Sequence, residues 1–279
     1  MKKTIVTVIA LVLCVVSVVL LASCSGEELN FGKKYVPAKA QIDILTELNS
    51  KTADIGVMDS VMAGYYLKNS EYADKLTLVE GLTLADENYG IAGRKGSQII
   101  NAVNQQLIAL TENGMMDDIA AAYGLQNEIC VDVTQEITVD TTESDYQYII
   151  NKGKVIVGYT LFAPIAYKVS EQLVGFDIDL AKKVFADLGL EVEFQLIDWE
   201  TKEVELEAKT IDLIWNGMTI TDERLAAMEI SIPYMKNKQV AIIRSEDADK
   251  YTSDTSTWSD AVLVAESGSA GEGCIVKSK

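Results

Sequence analysis

Three segments of the sequence predict the fold. They are KVIVGY at residues 154–159, FDIDLAKKVFADL at residues 176–188 and EVEFQLI at residues 191–197. The outer two segments have the short, β-branched composition of strands. The middle segment repeats apolar residues at helical spacing and is closed by Gly189. A strand, a helix and a second strand in that order predict two parallel strands with the helix packed on one face of the sheet.

The same alternation continues on both sides of this stretch. Strands are predicted over residues 53–59, 75–80, 89–94, 211–216, 239–244 and 261–265, and helices over residues 40–50, 60–67 and 99–110. Two segments break the pattern, because residues 25–37 are short and polar and residues 126–144 are acidic and rich in threonine. We interpret residues 126–144 as a linker and expect an α/β fold with helices on the sheet faces.

The composition excludes several kinds of chemistry. The chain has 279 residues, 24 Lys and Arg against 42 Asp and Glu, no histidine and a formal net charge of −18. Without histidine there is no Ser-His-Asp triad, no imidazole metal ligand and no histidine proton shuttle. Such an acidic chain repels phosphate backbones, so no nucleic-acid partner is expected. The length favours two domains, and the absence of metal-ligand spacing predicts no metal or other cofactor.

The amino terminus has the pattern of a secretory signal. Two lysines precede a run without charge from Ile5 to Leu21, and small residues follow. The sequence Leu21-Ala22-Ser23-Cys24 resembles the lipobox of bacterial lipoproteins, which implies removal of residues 1–23 and a diacylglycerol on Cys24. The alternative is an uncleaved transmembrane anchor, since the run approaches the ~20 residues that a span needs. Both interpretations place the rest of the chain outside the cytoplasm, attached to the cell membrane.

Two cysteines lie in the body of the chain, Cys130 and Cys274. They could pair in an oxidising compartment, or they could be two partly buried free thiols. No spacing motif supports a bridge, so the sequence favours free thiols.

A spaced series of motifs lies between residues 148 and 272. It consists of Phe162-Ala163-Pro164, Val174–Ala181, Asp198-Trp199, Gly217–Arg224, Ile232-Pro233-Tyr234 and Glu266–Ser269. In this order and spacing, the series closely resembles the first half of the extracellular solute-binding proteins of polar amino-acid ABC transporters. The resemblance implies a two-lobed, periplasmic-binding-protein-like α/β fold of type II, with a ligand cleft between the lobes.

The second half of that family's pattern comes earlier in the chain. Residues 35–125 resemble it through Ala53-Asp54, Met58-Asp59, Tyr89–Ala92, Arg94-Lys95-Gly96 and Ala122-Tyr123-Gly124. The halves are therefore in reversed order, which implies a circular permutant whose usual termini are joined by residues 126–144. The implied first lobe is 89–247, and the implied second lobe combines 25–88 with 248–279. The alternative is a rearranged gene product that does not fold, although each family segment occurs once.

The resemblance also implies how charged and polar residues hold an amino acid. Arg224 corresponds to the arginine that grips the ligand carboxylate, and Gly217 and Thr219 are placed to bind it from the end of a strand. Asp59 matches the acid that pairs with the ligand ammonium group. Ser269 matches a hydroxyl at a helix start that faces the carboxylate. The alternative roles are turn chemistry for Arg224 and helix capping for Asp59 and Ser269.

Aromatic and specificity positions complete the implied site. Phe162 and Trp199 match the aromatic walls that sandwich the ligand, with core packing as the alternative role. Tyr159 replaces an expected acid, and Met58 replaces a polar ring. Glu266 stands where some family members carry a lysine, which favours a cationic or neutral polar ligand over glutamate.

The resemblance as a whole implies a monomeric substrate-binding lipoprotein that delivers a polar amino acid to an ABC transporter permease. Closure would bend the crossing segments Glu87–Gly93 and Gln239–Ser245. No catalytic residue is expected. One alternative is a dehydratase-like enzyme on the same fold, for which Glu266 is the candidate acid or base. Another is a receptor that binds the same ligands without serving a transporter.

Overall fold

The structure, a computed structural model, describes residues 28–277. The predicted signal over residues 1–23 and the lipidation of Cys24 lie outside these residues. The helices are α1 (Gln41–Asn49), α2 (Ser60–Asn69), α3 (Ile99–Glu112), α4 (Met115–Ala122), α5 (Ser144–Lys152), α6 (Phe176–Asp187), α7 (Lys202–Glu207), α8 (Asp222–Ala227) and α9 (Ala270–Ile275). Within residues 28–277, no helix has the length and apolar character needed to cross a membrane.

The strands alternate with these helices, as an α/β fold requires. They are β1 (Lys34–Ala38), β2 (Ile55–Asp59), β3 (Leu76–Leu78), β4 (Ala85–Gly93), β5 (Lys154–Tyr159), β6 (Tyr167–Val169), β7 (Gln172–Val174), β8 (Glu191–Leu196), β9 (Leu213–Thr219), β10 (Glu229–Ile230), β11 (Met235–Arg244) and β12 (Val262–Glu266). The main sheet follows the order β1-β12-β2-β11-β4-β9-β5-β8. Strands β1, β12 and β2 are parallel to one another, as are β9, β5 and β8.

Two long strands divide this sheet into two half-sheets. Residues 85–89 of β4 pair antiparallel with residues 235–239 of β11. Beyond this ribbon, β4 turns to β9 on one side and β11 turns to β2 on the other. Each half-sheet carries its own helices, with α3 and α6 on the β9 side and α1, α2 and α9 on the β2 side. The architecture is therefore two-lobed. The chain boundaries given above for each lobe stay a prediction.

Burial explains why the central strands form. Every residue of β2 and every residue of β9 is buried, as expected for strands covered on both faces by helices. Helix α6 buries Phe176, Leu180 and Val184, which lie on one face at helical spacing. The predicted strand–helix–strand unit over residues 154–197 is confirmed, with β5 and β8 parallel and in register from Lys154 with Glu191 to Tyr159 with Leu196.

Several sequence predictions need correction. The polar segment 25–37 contains the start of β1, which forms because it pairs with β12, far away in the chain. The predicted crossing at Gln239–Ser245 is wrong, since residues 239–243 pair with β2 inside one half-sheet and the crossing lies at 235–239. The predicted helix stop at Gly114 is confirmed, since α3 ends at Glu112, Gly114 has a φ of 80° and α4 begins after it.

The predicted linker, residues 126–144, contains no long helix or strand but is packed onto the fold. Ile129 forms a bridge with Met235, and Val131, Ile137 and Val139 pack against the core. At its end, the Glu143 carboxylate accepts hydrogen bonds from the amides of Asp145 and Tyr146 and caps α5.

A buried ion-pair network fixes α5 to the half-sheet. Arg94 Nε lies 2.6 Å from Asp145 Oδ1, and Arg94 Nη2 lies 3.2 Å from Asp212 Oδ1. The other oxygen of Asp212 lies 2.5 Å from Lys152 Nζ and accepts a hydrogen bond from the Ile156 amide. Asp212 is fully buried, so its charge depends on these partners.

Candidate functional site

A small, closed cavity, with a volume of about 10 Å³, lies between the two half-sheets. Its lining residues come from both sides and comprise Gln41, Asp59, Thr160, Phe162, Trp199, Asn216, Gly217, Thr219, Arg224, Glu266, Ser269 and Ala270. Strands β2, β9 and β12 end in the cavity, and β5 ends one residue before it. Carboxyl ends of parallel strands meet at one edge of a sheet, which is where α/β proteins bind ligands.

The structure brings together eight of the ten residues implied by the resemblance. These are Asp59, Phe162, Trp199, Gly217, Thr219, Arg224, Glu266 and Ser269. Met58 and Tyr159 do not line the cavity. Met58 lies in the hydrophobic core, and the Tyr159 ring packs edge-on against Phe194 with centroids 6.3 Å apart. Successive strand residues point to opposite faces, so the next residues, Asp59 and Thr160, reach the cavity instead.

Arg224 is a buried cation whose contacts are to neutral carbonyls. Thr221 caps α8 by accepting a hydrogen bond from the Arg224 amide, which places this side chain at the cavity wall. The guanidinium donates to Thr219 O at 2.8 Å and, across the cleft, to Gly268 O at 3.0 Å. It also lies 5.9 Å from the centroid of the Trp199 ring. Burial lowers the pKa of Arg224, and no carboxylate of the described residues forms an ion pair with it.

Asp59 is held by several donors from its own side of the cleft. Its Oδ1 accepts from Tyr89 Oη at 2.6 Å and from Gln239 Nε2 at 3.1 Å, and the side-chain amides of Gln41 and Asn237 also donate to it. The carboxylate does not cap α2, although Asp59 occupies the cap position. Burial, followed by the nearby Glu87 charge, raises the pKa of Asp59.

Gly217 is required by its backbone conformation and its neighbours. Its φ is +59°, and a Cβ added there would lie 2.8 Å from Phe162 Cε1 and 3.0 Å from Tyr89 Cε2. The Gly217 amide donates to Asp177 Oδ2 at 2.8 Å, and Tyr234 Oη donates to the same carboxyl group. Burial raises the pKa of Asp177 to about 7. Asp177 thus positions the cavity wall without lining it.

Two cations from one lobe converge on a single carbonyl of the other lobe. Lys202 Nζ donates to Gly268 O at 3.2 Å, beside the bond from Arg224, and to Trp199 O at 3.1 Å. It lies 4.8 Å from the centroid of the Trp199 ring. Burial, followed by the Arg224 charge, lowers the pKa of Lys202 to about 8. These bonds join the lobes in the arrangement seen here.

The cavity has lining residues that the resemblance did not supply: Gln41, Thr160, Asn216 and Ala270. Asn216 Nδ2 donates to Thr160 Oγ1 at 2.7 Å, whereas Asn216 Oδ1 and Glu266 Oε1 are buried without a hydrogen-bond partner in the described residues. Asn216 directly precedes the Gly217 motif, so its position in the strand could have identified it. Gln41, the first residue of α1, carries no comparable sequence pattern.

The remaining polar features have local roles. Ser269 Oγ accepts from the Glu272 amide at 3.2 Å, so Ser269 caps α9 while also lining the cavity. Cys130 and Cys274 are free thiols, each half-buried. Between residues 28 and 277, no group of His, Cys, Asp and Glu side chains could hold a metal ion.

Comparisons with known proteins identify the central part of the chain. Residues 155–267 match the family of bacterial extracellular solute-binding proteins, family 3. The arginine-binding extracellular protein ArtP of Bacillus subtilis is 32% identical over 96 residues, which cover 34% of this chain and 38% of that protein. The L-cystine-binding protein TcyJ of Escherichia coli K12 is 27% identical over 95 residues, which cover 33% and 36% of the two chains.

A solved structure is similar over the same share of the chain. It is a polar amino acid ABC uptake transporter substrate-binding protein from Streptococcus thermophilus, with 43% identity over 32% of this chain and 34% of that one, and a TM-score of 0.29. The chain therefore spans about a third of the length of the relatives it matches. The family match does not extend to residues 35–125, so the reversed order of the halves stays a prediction.

Proposed function

We propose that this chain, whose residues 155–267 match the bacterial extracellular solute-binding proteins, family 3, captures a free polar amino acid between its lobes and delivers it to an ABC transporter permease. The observation that carries the proposal is Arg224, a buried cation that lines the cavity and whose guanidinium donates hydrogen bonds to neutral carbonyls, Thr219 O and Gly268 O. A buried charge is costly until it is paired, and a carboxylate matches the planar guanidinium bidentately. A ligand carboxylate would provide that partner.

The opposite wall supplies the complement for a ligand ammonium group. Asp59 lines the same cavity from the other half-sheet, so a zwitterion between Arg224 and Asp59 would contact both lobes. Phe162 and Trp199 are 2% and 5% exposed, and their faces would exclude water from the ligand. The names of the two curated relatives, which bind arginine and cystine, support an amino-acid ligand. The proposed role is binding without chemical conversion.

Ligand entry would require movement at the ribbon between the half-sheets. The cavity shares Thr219, Arg224, Ser269 and Ala270 with a wide groove at its mouth. Opening at residues 85–89 and 235–239 would widen this mouth. A ligand that contacts both lobes then favours the closed form by its differential affinity for that form.

The remaining parts of the proposal concern chain order and location. Leu29 forms a bridge with Val276 and β1 pairs with β12, which supports a second lobe assembled from residues 25–88 and 248–279. The family's halves are then circularly permuted, and the first lobe is 89–247 except for residues 239–243, which pair with β2 of the second lobe. We place the protein outside the cytoplasm as a monomer, attached to the membrane through lipid on Cys24.

Calorimetry and thermal shift of the purified protein against the common amino acids test this function. At least one amino acid should raise the melting temperature in a concentration-dependent way, by the equivalent of about 2.7 kcal/mol at 100 times Kd. Arg224→Gln should weaken that binding about 10- to 100-fold, because it removes a charged hydrogen-bond donor. Lys183→Gln, on the exposed face of α6, is the control and should bind normally. A cooperative melt that no amino acid shifts would refute the proposal.

A further inference from the structure

Glu266 is a buried acid whose hydrogen bonding is incomplete. It is the last residue of β12, lines the cavity and is 3% exposed. Its Oε1 accepts no hydrogen bond from any described residue. A buried acceptor left without a partner costs about 1–3 kcal/mol, and more when it is charged. An acidic side chain in this state inside a ligand cavity can accept a hydrogen bond from a donor that the protein does not supply.

The other acid of the cavity is in the opposite condition. Asp59 accepts hydrogen bonds from Tyr89 and Gln239 and from two further side-chain amides, so the protein itself satisfies most of its acceptor capacity. The two acids also lie at the ends of different strands, β2 and β12. The cavity therefore contains Asp59, whose oxygens accept hydrogen bonds from the protein, and Glu266, whose Oε1 accepts none from the described residues.

The balance of charge indicates what that partner is. When ionised, the lining carries two acids, Asp59 and Glu266, against one cation, Arg224. A zwitterion with a neutral side chain pairs with Arg224 and Asp59 and leaves Glu266 protonated and without a charged partner. A ligand with a second cationic group balances the lining. Asn216 Oδ1, also buried without a partner, adds another acceptor to the same cavity.

We propose that Glu266 accepts the side-chain cation of the ligand, so the site selects cationic amino acids over neutral ones of the same shape. This inference rests on the proposed function, because it assumes that Arg224 and Asp59 hold the ligand backbone groups. Glu266 is then the residue that determines specificity.

Binding should also release a proton from Glu266. Burial, followed by the charge of Asp59 on β2, raises the pKa of Glu266 to about 8, so the empty site holds it protonated at neutral pH. The other charged groups that face it are Lys202 on α7, Asp198 before α7 and Asp43 on α1. A ligand cation beside the carboxylate favours its ionised form. Affinity for a cationic ligand should therefore increase as pH rises toward 8.

Arginine and citrulline provide a matched pair of probes, since they share a shape and differ in side-chain charge. Calorimetry at pH 7 should show arginine binding about 10- to 100-fold more tightly than citrulline. Titrations in two buffers of different ionisation enthalpy should show more proton release with arginine than with citrulline. In Glu266→Gln, which keeps the shape of the side chain, both the preference and the additional proton release should be lost.

The outcomes separate this inference from the proposed function. Citrulline binding as tightly as arginine in the unmodified protein would refute the role of Glu266 and leave amino-acid capture intact. A full preference for arginine in a folded Glu266→Gln variant would also refute it. If arginine, citrulline and the other amino acids all fail to bind, the proposed function is refuted and this inference with it. The comparison of probes in the unmodified protein does not depend on the variant folding.

Discussion

Asp177 holds the Gly217 amide, and the titration of its carboxyl group should make the stability of the protein depend on pH. The substitution Asp177→Asn tests this dependence. Asp177 is 1% exposed and accepts hydrogen bonds from the Gly217 amide and from Tyr234 Oη. Asparagine has nearly the same shape and retains an oxygen that can accept these bonds, but it does not titrate. The substitution therefore removes the ionisation of this group and leaves the contacts largely in place.

The size and sign of the effect follow from the raised pKa. The pKa of Asp177 moves from its ordinary 3.8 to about 7 on folding, because burial disfavours the carboxylate. The protonated form is preferred in the folded protein, so its contribution to stability is complete below the ordinary pKa and is lost as pH rises through 7. Each pKa unit is worth about 1.4 kcal/mol, which gives a loss on the order of 4 kcal/mol from this group. About 2 kcal/mol of that falls between pH 5 and pH 7, since the group is already half ionised at pH 7.

Urea unfolding at pH 5, 6 and 7, followed by tryptophan fluorescence, measures the effect. Asp177→Asn should gain stability relative to the unmodified protein by about 2 kcal/mol over this range, because both proteins share every other titrating group. Glu193→Gln, an exposed partner of Lys154 on β8, is the control and should keep the slope of the unmodified protein. If Asp177→Asn also keeps that slope, Asp177 does not titrate as argued here.

Two further substitutions test the cavity wall and the buried ion pairs. Gly217→Ala should lower the free energy of unfolding by about 2–4 kcal/mol and weaken binding, because the added Cβ would combine a left-handed φ with contact against Phe162. Gly114→Ala is the control, since Gly114 has a similar φ but open space around it, and its free energy of unfolding should fall by only about 1–2 kcal/mol. Equal losses in urea unfolding would refute the steric argument. Asp212→Ala should cost about 3–5 kcal/mol, since it leaves Arg94 and Lys152 without their shared partner. Asp187→Ala, in an exposed pair with Lys183, should change stability by less than about 1 kcal/mol, and a similar small loss at Asp212 would contradict the role of the network.

Local patterns were sufficient to predict the elements that fold by periodicity. The strand–helix–strand unit over residues 154–197 was predicted because its apolar spacing and its glycine stop are both encoded within a few residues. Strand β1 was missed because KYVPA becomes a strand only by pairing with β12, more than 200 residues away. The packing of residues 126–144 was missed for the same reason, since their contacts are made with distant parts of the chain.

For the site, too, short motifs predicted which residues are involved but not the contacts that distant residues make with them. Asp59 and Glu266 could be placed by their motifs, but the motifs did not show that one acid is satisfied and the other is not. That difference arises from Gln41, Tyr89 and Gln239, which come from three separate elements and all donate to Asp59. Met58 and Tyr159 do not line the cavity, whereas the residue after each of them does, because motif matching does not establish which face of a strand a side chain occupies.

The bonds across the cleft indicate how a ligand would stabilise the closed form that we propose. In the arrangement seen here, Arg224 and Lys202 both donate to the carbonyl of Gly268, a neutral acceptor that two cations share. A ligand carboxylate is a stronger acceptor for a guanidinium than a carbonyl is, and it can accept two parallel bonds. Exchanging Gly268 O for a ligand carboxylate would thus stabilise the closed form beyond what the empty protein achieves. Since a ligand shifts this equilibrium only by its differential affinity, this exchange at Arg224 is the step through which binding would favour closure.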